Sequence, residues 1–271
     1  MGLENPVIGI VGGNGRMGRW LTHLFRHKDY IVRIAGRNSE TTPLEMARQS
    51  DVVVISVPIP VTKKVIREVG PAVREDGLLM DLTSVKKGPL DAMLYYSKCQ
   101  VVGLHPLFGP ESIENKGLRI AICPGRGDEG LSWISSILRD EGYRIIHIDA
   151  GIHDRIMGII QGVNHLSTLA LAMTMRDSGF DLEDFENLST VDFNGRLRRI
   201  KTMLDQPEGL FESIFMENQS MDENLEKNDT SAKTLRKIIK ERDTVKFKDL
   251  YNELEKFFGI VHKDSYNHMD Y

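Results

Sequence analysis

Residues 6–20 read PVIGIVGGNGRMGRW, and this stretch decides the fold of the first half of the chain. A short β-branched run enters the pattern Gly13-x-Gly15-x-x-Gly18, and an apolar-periodic helix follows at once. The order strand, glycine turn, helix makes a three-glycine pattern indicative of a dinucleotide site. We expect Gly13 to permit the tight turn, Gly15 to let the backbone approach a pyrophosphate, and Gly18 to allow close helix–strand packing. The alternative is an ordinary strand–helix connection whose glycines only shape the turn.

The residues after the second predicted strand, at 30–35, bear on the choice of coenzyme. An NAD site usually has an acidic residue there, which binds the ribose 2′-hydroxyl. This chain has Gly36-Arg37-Asn38-Ser39 instead. Because glycine has no side chain to repel a phosphate, and Arg37 offers a fork of donors and Ser39 a hydroxyl, the sequence favours NADP, with NAD still possible. A solvated turn with an incidental arginine is the alternative. The candidate cofactor-binding residues are Gly13, Asn14, Gly15, Arg16, Met17, Gly18, Arg37, Asn38, Ser39, Val57 and Pro58.

Strands and helices alternate up to about residue 150, which is typical of a doubly wound, mostly parallel sheet of Rossmann type. The later strands are predicted at 52–57, 78–82, 101–104, 119–123 and 143–148. The pattern then becomes almost purely helical, beginning with a long helix from Ile152 to about Ser178. We therefore predict an NADP-binding domain at residues 1–150 and an all-α C-terminal domain at residues 151–271. The apolar character of the helical half favours a homodimer formed through these helices.

Composition limits the class of protein. The chain has 271 residues, 41% hydrophobic and 27% charged, as in a soluble globular protein. A net charge of −4 gives no general attraction to nucleic acid or to an anionic membrane. We expect no apolar run of transmembrane length and no secretion signal. Cys99 and Cys123 have neither metal nor disulfide spacing, which favours a reducing, cytoplasmic location.

Two loops beyond the carboxyl ends of predicted strands carry candidate catalytic residues, since ligands bind there in such sheets. His105 is expected directly after a strand, in a loop stiffened by Pro106 and Pro110, where it could exchange a proton with a substrate near a nicotinamide. A structural histidine is the alternative. Ser84 and Lys86 follow the neighbouring strand and could bind a hydroxyl and a carboxylate. A solvated surface charge is the alternative for Lys86.

The long helix carries three polar residues at spacings of seven and four, Asp154, Gln161 and His165. This spacing predicts one polar stripe, which we interpret as the wall of a cleft. A stripe that bonds to a neighbouring subunit is the alternative. His105, His153 and His165 could indicate a metal site, but the chain has no His-Glu-x-x-His spacing, so we expect no metal.

Three segments together resemble prephenate dehydrogenase, most closely its archaeal form. They are LTSVKKGPL at 82–90, GLHPLFGP at 103–110 and HDRIMGIIQGVNH at 153–165. The similarity extends from the glycine turn to about Gly259. The resemblance implies oxidation of prephenate to 4-hydroxyphenylpyruvate, with release of CO2 and hydride transfer to NAD(P)+, on the route to tyrosine.

The resemblance also implies roles for single residues. His105 would hydrogen-bond the ring hydroxyl and take its proton, which requires a neutral imidazole. Ser84 would assist at the hydroxyl or orient His105. The pocket for prephenate and the nicotinamide would be lined by Lys86, Glu111 and His165, with Gln161 as a further substrate-binding candidate.

One departure from the family concerns the substrate carboxylate. Many bacterial members carry an arginine where this chain has Asn194, and an asparagine cannot form a bidentate charged pair. Arg196, Arg198 and Arg199 lie close by, and Arg198 is one turn on from Asn194. Our hypothesis is that one of these arginines, or one from a partner subunit, takes over.

The departure leaves other functions open. Arogenate carries an amino acid side chain in place of the pyruvyl group and uses the same ring chemistry, so an arogenate dehydrogenase is the main alternative. Another related dehydrogenase, such as one for a β-hydroxy acid, is a further alternative. The lysine that is typical of β-hydroxyacid dehydrogenases is missing from residues 152–178, which counts against it. A catalytically inactive NADP-sensing protein belongs to a different class. The presence of His105, Ser84 and Lys86 counts against it.

Overall fold

The computed structural model describes residues 5–37, 39–109, 117–207 and 209–260. Contacts divide the chain into two compact units, residues 1–221 and 222–271. The first unit contains the sheet and the helices around it. The second consists, in its described part, of helix α11 (Met221–Glu241), which begins at the boundary, and helix α12 (Thr244–Phe258).

The described part of the first unit contains a seven-stranded sheet in the order β2-β1-β3-β4-β5-β6-β7. Neighbouring strands are parallel except β5 and β6, which are antiparallel. Every residue of β1, β3 and β4 is buried, as expected where helices cover both faces of a parallel sheet. The strands are β1 (Ile8–Val11), β2 (Val32–Ala35), β3 (Val52–Ile55), β4 (Leu78–Asp81), β5 (Gln100–Pro106), β6 (Arg119–Arg126) and β7 (Arg144–His147).

Five helices cover the sheet. On one face, Leu21 and Phe25 pack with Ile8 of the sheet, and on the other Met46 and Ile66 lie in a second apolar cluster. The helices are α1 (Arg16–His27), α2 (Pro43–Arg48), α3 (Ile59–Val69), α4 (Lys87–Tyr96) and α5 (Asp128–Asp140). The predicted Rossmann-type doubly wound sheet is confirmed.

The strand order places a ligand crevice at the first strand. Because β1 lies between β2 and β3, the chain passes to opposite sides of β1, and in such sheets ligands bind at this switch point. The glycine turn follows β1, and residues 56–58 follow β3. Both segments therefore lie at the carboxyl ends of adjacent strands.

Strand β5 is longer than predicted, and this changes the setting of His105. The strand runs to Pro106, and His105 pairs with Ala121 of β6. His105 is therefore in the last part of a buried strand, and the prediction that it lies in a loop after the strand is wrong. The antiparallel pairing with β6 extends the strand, which local sequence could not show.

A helical region follows the sheet. The predicted long helix is continuous from Ala150 to Arg176, but its middle, Gly158–Val163, is a π-helical turn between α6 (Ala150–Met157) and α7 (Asn164–Arg176). The remaining helices of the first unit are α8 (Leu182–Asn187), α9 (Val191–Leu204) and α10 (Leu210–Glu217). Gly195 lies within α9 and does not interrupt it. The helical C-terminal region is confirmed, while a domain boundary at residue 150 stays a prediction.

The helix from Ala150 to Arg176 is long and apolar enough, by length and composition, to cross a membrane. The expectation that no apolar run reaches that length is therefore wrong. One such helix is weak evidence for a membrane span, because packed helices of other proteins pass the same test. This helix carries the buried polar residues His153, Asp154 and His165, which suit packing within protein.

Candidate active site

The glycine turn has the tight geometry expected of a dinucleotide site. Gly12 has φ +83°, and a Cβ there would lie 2.2 Å from the carbonyl oxygen of Ser56, so only glycine fits. A Cβ at Gly18 would lie 2.4 Å from the Gly12 carbonyl oxygen, which confirms the prediction of close packing at Gly18. The prediction for Gly13 is wrong in detail. The left-handed residue is Gly12, and Gly13 makes room for the side chain of Ile34.

The start of α1 offers free backbone donors. Gly15 is the N-cap residue, no side chain caps the helix, and its first turn has no acidic residue. We find no acceptor, among the described residues, for the N–H groups of Arg16, Met17 and Gly18. Such a helix N-terminus favours a phosphate group. The residues of the turn therefore fit the pyrophosphate of a dinucleotide.

The loop after β2 contains the residues predicted to choose the coenzyme. Arg37 is exposed, and a Cβ at Gly36 would meet no atom within 4 Å. The hydroxyl of Ser39 accepts from the N–H of Gly36 at 2.9 Å and donates to the carbonyl of Thr41 at 2.6 Å, so it closes the loop rather than standing free. Asn38 lies outside the described residues. Arg37 is thus the charged donor at this position.

Other predicted cofactor residues surround the turn. Val57 lies against it, since a Cβ at Gly12 would be 3.1 Å from Val57 Cγ1, and Pro58 is the N-cap residue of α3. The carbonyl of Asn14 accepts from Arg19 Nε at 2.8 Å. The guanidinium of Arg16 donates to the side-chain oxygen of Gln206 at 3.1 Å. All four residues lie at the switch point or at the start of α1.

A chain of three buried side chains begins at His105, and we call it the His–His–Asp chain. Nδ1 of His105 lies 2.9 Å from Nε2 of His153, and Nδ1 of His153 lies 2.8 Å from Oδ1 of Asp154. His105 is only 3% exposed, and His153 and Asp154 are also buried. Burial lowers the pKa of His105 well below its usual value, and the neighbouring His153 and Lys86 lower it further. His105 is therefore neutral at pH 7.

Asp154 also binds the start of α4. Its Oδ1 accepts the N–H of Lys86 at 2.8 Å, and its Oδ2 accepts the N–H of Lys87 at 2.9 Å. The sequence pattern did not indicate this role, and it suggested His153 only as a possible metal ligand. The adjacent pair His153-Asp154 is visible in the sequence, but nothing local indicates contacts with residues 48 and 68 positions away.

Lys86 has a different role from the predicted one. Its side chain is fully buried, and its Nζ lies 2.5 Å from Oδ2 of Asp81 and 2.8 Å from the carbonyl oxygen of Leu104. The ammonium is held between β4 and β5, so it does not line a substrate pocket. Neither the predicted substrate contact nor the solvated-charge alternative is correct. Ser84, two residues earlier, is half-buried, and its hydroxyl makes no hydrogen bond to a described residue.

Asp154 and His165 do not form the predicted stripe. Asp154 faces α4, whereas the ring of His165 packs against Phe211 of α10 with a centroid distance of 4.8 Å. The π-helical turn between them, which contains the half-buried Gln161, advances by fewer degrees per residue than an α-helix and so shifts the phase. Burial, and then Arg199, lower the pKa of His165 to about 4. Its Nδ1 is buried without a partner among the described residues.

The arginines of α9 separate into two faces. Arg196 and Arg199 line a depression together with Asn164 and Thr168 of α7 and Asp192. Asn194 and Arg198 do not line it, because residues two positions apart lie on nearly opposite sides of a helix. Arg196 and Arg199, rather than Arg198, therefore share the depression, and Arg199 is also close enough to His165 to lower its pKa. Glu111 lies outside the described residues.

Family comparison matches most of the chain. Residues 29–146 match the family described as prephenate dehydrogenase, nucleotide-binding domain, and residues 149–253 match prephenate dehydrogenase, dimerization domain.

Two curated relatives align with 94% of this chain. A probable arogenate/prephenate dehydrogenase of Methanocaldococcus jannaschii is 30% identical over 274 residues, which are 61% of its length. A T-protein of Enterobacter agglomerans is 30% identical over 254 residues, which are 68% of its length. The chain thus spans about two thirds of these relatives.

Solved structures share the fold. A prephenate dehydrogenase from Aquifex aeolicus, in complex with hydroxyphenyl propionate and NAD+, superposes with a TM-score of 0.73 at 18% identity, over 96% of this chain and 100% of that one. A Synechocystis arogenate dehydrogenase superposes with a TM-score of 0.69 at 18% identity, over 93% and 98%.

Proposed function

Since this chain belongs to the prephenate dehydrogenase family, we propose that it oxidises prephenate to 4-hydroxyphenylpyruvate, with release of CO2 and hydride transfer to NAD(P)+. The observation that carries this proposal is the environment of His105. It lies at the carboxyl end of β5, it is buried, and it is held through Nδ1. Its Nε2 has no hydrogen-bond partner among the described residues and is free to serve as a base.

The role of His105 follows from the chemistry of the substrate. As a hydride leaves the ring carbon that bears the hydroxyl, the oxygen gains carbonyl character and its proton passes to Nε2. The carboxylate leaves as CO2, and the electrons of its bond enter the ring, which becomes aromatic. The proton then returns to the phenolic oxygen, so His105 is unchanged at the end of the cycle. The half-buried hydroxyl of Ser84 is proposed to assist at the same oxygen.

The dinucleotide, when bound, supplies the hydride acceptor. The free amides at the start of α1 support pyrophosphate binding there. We propose NADP as the preferred coenzyme, because Arg37 is exposed and Gly36 leaves open space for a 2′-phosphate. NAD is the alternative. For the substrate carboxylate we propose Arg196 and Arg199, which share one depression.

Arogenate is the second candidate substrate. The relative from Methanocaldococcus jannaschii carries both substrates in its name, and arogenate would react through the same ring hydroxyl. We also propose a homodimer formed through the helical region, since residues 149–253 match a dimerization domain. A cytoplasmic location is supported by Cys99 and Cys123, which are buried free thiols.

The test is an absorbance assay of coenzyme reduction with prephenate or arogenate, each with NADP+ or NAD+. We expect turnover with prephenate and a higher kcat/KM for NADP+. His105→Asn should lower kcat by about 10²–10⁴-fold, because it removes the base. The control His147→Asn changes an exposed histidine on β7 and should retain activity.

The pH dependence gives a second measurement. The base works only when unprotonated, and the pKa of His105 lies well below its usual value of 6.5. Activity should therefore hold between pH 8 and 6.5 and decline only as the pH falls further. If the protein binds NADP but turns over neither substrate, the proposed activity is contradicted. The remaining explanation is then a catalytically inactive NADP-sensing protein.

A further inference from the structure

The carboxylate of Asp154 determines where the protons of the His–His–Asp chain lie. Each of its oxygens faces a backbone N–H, that of Lys86 at Oδ1 and that of Lys87 at Oδ2. A protonated carboxyl would direct its own O–H at one of these donors, so the geometry requires the ionised, accepting form. Nδ1 of His153, at 2.8 Å from Oδ1, must therefore carry a hydrogen.

The tautomer of His105 follows. When the hydrogen on Nδ1 is the only one on the nitrogens of the His153 ring, Nε2 is bare and accepts a hydrogen bond. This Nε2 lies 2.9 Å from Nδ1 of His105, so in that state the hydrogen between them belongs to His105 Nδ1. His105, which is neutral, then has a bare Nε2. This is the nitrogen that must accept the proton of the substrate.

We propose that His153 and Asp154 are positioning residues, which hold His105 in the tautomer whose Nε2 accepts the substrate proton. This proposal rests on the proposed function, which identifies the substrate proton that His105 accepts. It adds two residues, His153 and Asp154, to those that the proposed function involves. The sequence pattern assigned neither residue this task. His153 acts through its contact with His105, and Asp154 acts through His153.

The same contacts hold the ring of His105 in place while it carries the proton, and burial, His153 and Lys86 together keep the pKa of His105 low, so that the ring releases the proton again. When Nε2 gains a proton, the positive charge lies beside His153, whose Nδ1–H is paired with the Asp154 carboxylate. The other charged groups near His105 are Lys86 and its partner Asp81, which oppose each other. One proton enters the chain from the substrate and the same proton leaves to the product, so nothing else is consumed.

Asp154 also couples this chain to the loop that bears Ser84. The N-cap residue of α4, Lys86, provides no side-chain cap, and Asp154 replaces one by accepting both amides. Asn218 Nδ2, at the end of α10, donates to the backbone carbonyl of Asp154 at 2.9 Å and so holds α6 near this contact. Substitution of Asp154 would therefore disturb Ser84 as well as His105, which makes His153 the cleaner site for a test.

The experiment compares His153→Phe with His153→Gln, both of which leave Asp154 and its bonds to α4 in place. Long-range 15N–1H NMR of the full chain reports the tautomer of each histidine, independently of turnover. We expect the wild type to carry its His105 hydrogen on Nδ1. The Phe variant offers no acceptor, so His105 should populate the other tautomer, and kcat should fall by about 10²-fold with KM within about threefold.

The Gln variant is the conservative rescue. Its side-chain oxygen can accept from Nδ1 of His105, so the tautomer should be retained and kcat should recover to within about tenfold of wild type. A loss of structure alone would lower both variants equally, and His147→Gln serves as the matched control.

Two results would overturn the proposal. One is a wild-type His105 with its hydrogen on Nε2. The other is a Phe variant that keeps the wild-type tautomer and kcat. If the Phe variant does not fold, the wild-type spectrum and the Gln variant still decide the question. If the wild type turns over neither prephenate nor arogenate, the proposed function fails while the tautomer measurement stands by itself.

Discussion

Lys86 and Asp81 form an ion pair without contact with solvent, in which each charge has lost its hydration. Such a pair contributes little net stability, but removal of one partner leaves an uncompensated buried charge and is strongly destabilising. The ammonium also binds the carbonyl of Leu104, the residue before His105. The pair therefore fixes the end of β5 from which the proposed base projects.

We predict that substitution of Lys86 lowers the stability of the protein strongly and does not act simply by weakening substrate binding. Lys86→Met should lower the free energy of unfolding by about 3–5 kcal/mol, measured by urea denaturation. The matched control is Lys87→Met, which removes an exposed pair with Asp91 and should change it by at most about 1 kcal/mol. Equal stability of the two variants, with a raised KM only for Lys86→Met, would contradict the structural role.

At the scale of elements, the turn between β1 and α1 depends both on an unusual backbone conformation and on close backbone contact. Gly12 supplies the positive φ, and Gly18 lets the first turn of α1 approach the backbone of Gly12 and Gly13. The free amides at the start of α1 would face a bound phosphate only if this close approach is kept. The turn and the helix therefore form one functional unit.

We predict that Gly18→Ala weakens coenzyme binding. The added Cβ would lie 2.4 Å from the Gly12 carbonyl oxygen, so α1 must shift, and the Kd for NADP+ should rise at least about tenfold in a calorimetric titration. Gly195→Ala is the control, since a Cβ there meets no atom within 4 Å in α9. It should leave Kd unchanged and stabilise the protein by about 0.5–1 kcal/mol. An unchanged Kd in Gly18→Ala would show that the turn does not bind the coenzyme.

The π-helical turn is a second element-scale feature. It separates the His–His–Asp chain, at the start of the helix, from His165, which packs on α10. Residue spacing predicts one stripe only if every turn has the same pitch, and hydrophobic periodicity does not reveal a single wider turn. Asp154 and His165 therefore contact different helices, α4 and α10.

At the scale of the whole molecule, the helical region exposes large apolar side chains. Leu188 is 86% exposed and Val191 is 91% exposed in the single chain. Exposed apolar surface of this kind marks an interaction site, and the match to a dimerization domain supports the proposed homodimer. We expect the proposed dimer to bury these side chains.

We therefore predict a dimer in analytical ultracentrifugation that is weakened by the double variant Leu188→Glu/Val191→Glu. Charge repulsion and desolvation should shift the protein towards the monomer at micromolar concentration. Tyr95→Glu is the control, because Tyr95 is 82% exposed but belongs to the helix α4 beside the sheet. A double variant that dimerises as tightly as the control would place the interface elsewhere.

The sequence by itself determined the features that depend on neighbouring residues. The glycine turn, the alternation of strands and helices, the helical C-terminal region and the importance of His105 all follow from turn chemistry, short-range periodicity and three short motifs. The coenzyme preference also depends on one short segment, and it stays a prediction.

Only the tertiary structure decided which side chains meet. His105 and His153 are 48 residues apart, and Asp154 binds amides 68 and 67 residues away. Lys86 is buried because the pairing of β4 with β5 brings Asp81 and Leu104 to its ammonium, and the packing of α9 on α7 decides that Arg196, and not Arg198, lies on the side of the α7 residues Asn164 and Thr168. Such contacts depend on strand register and helix packing across the whole unit, which a local pattern of residues does not encode.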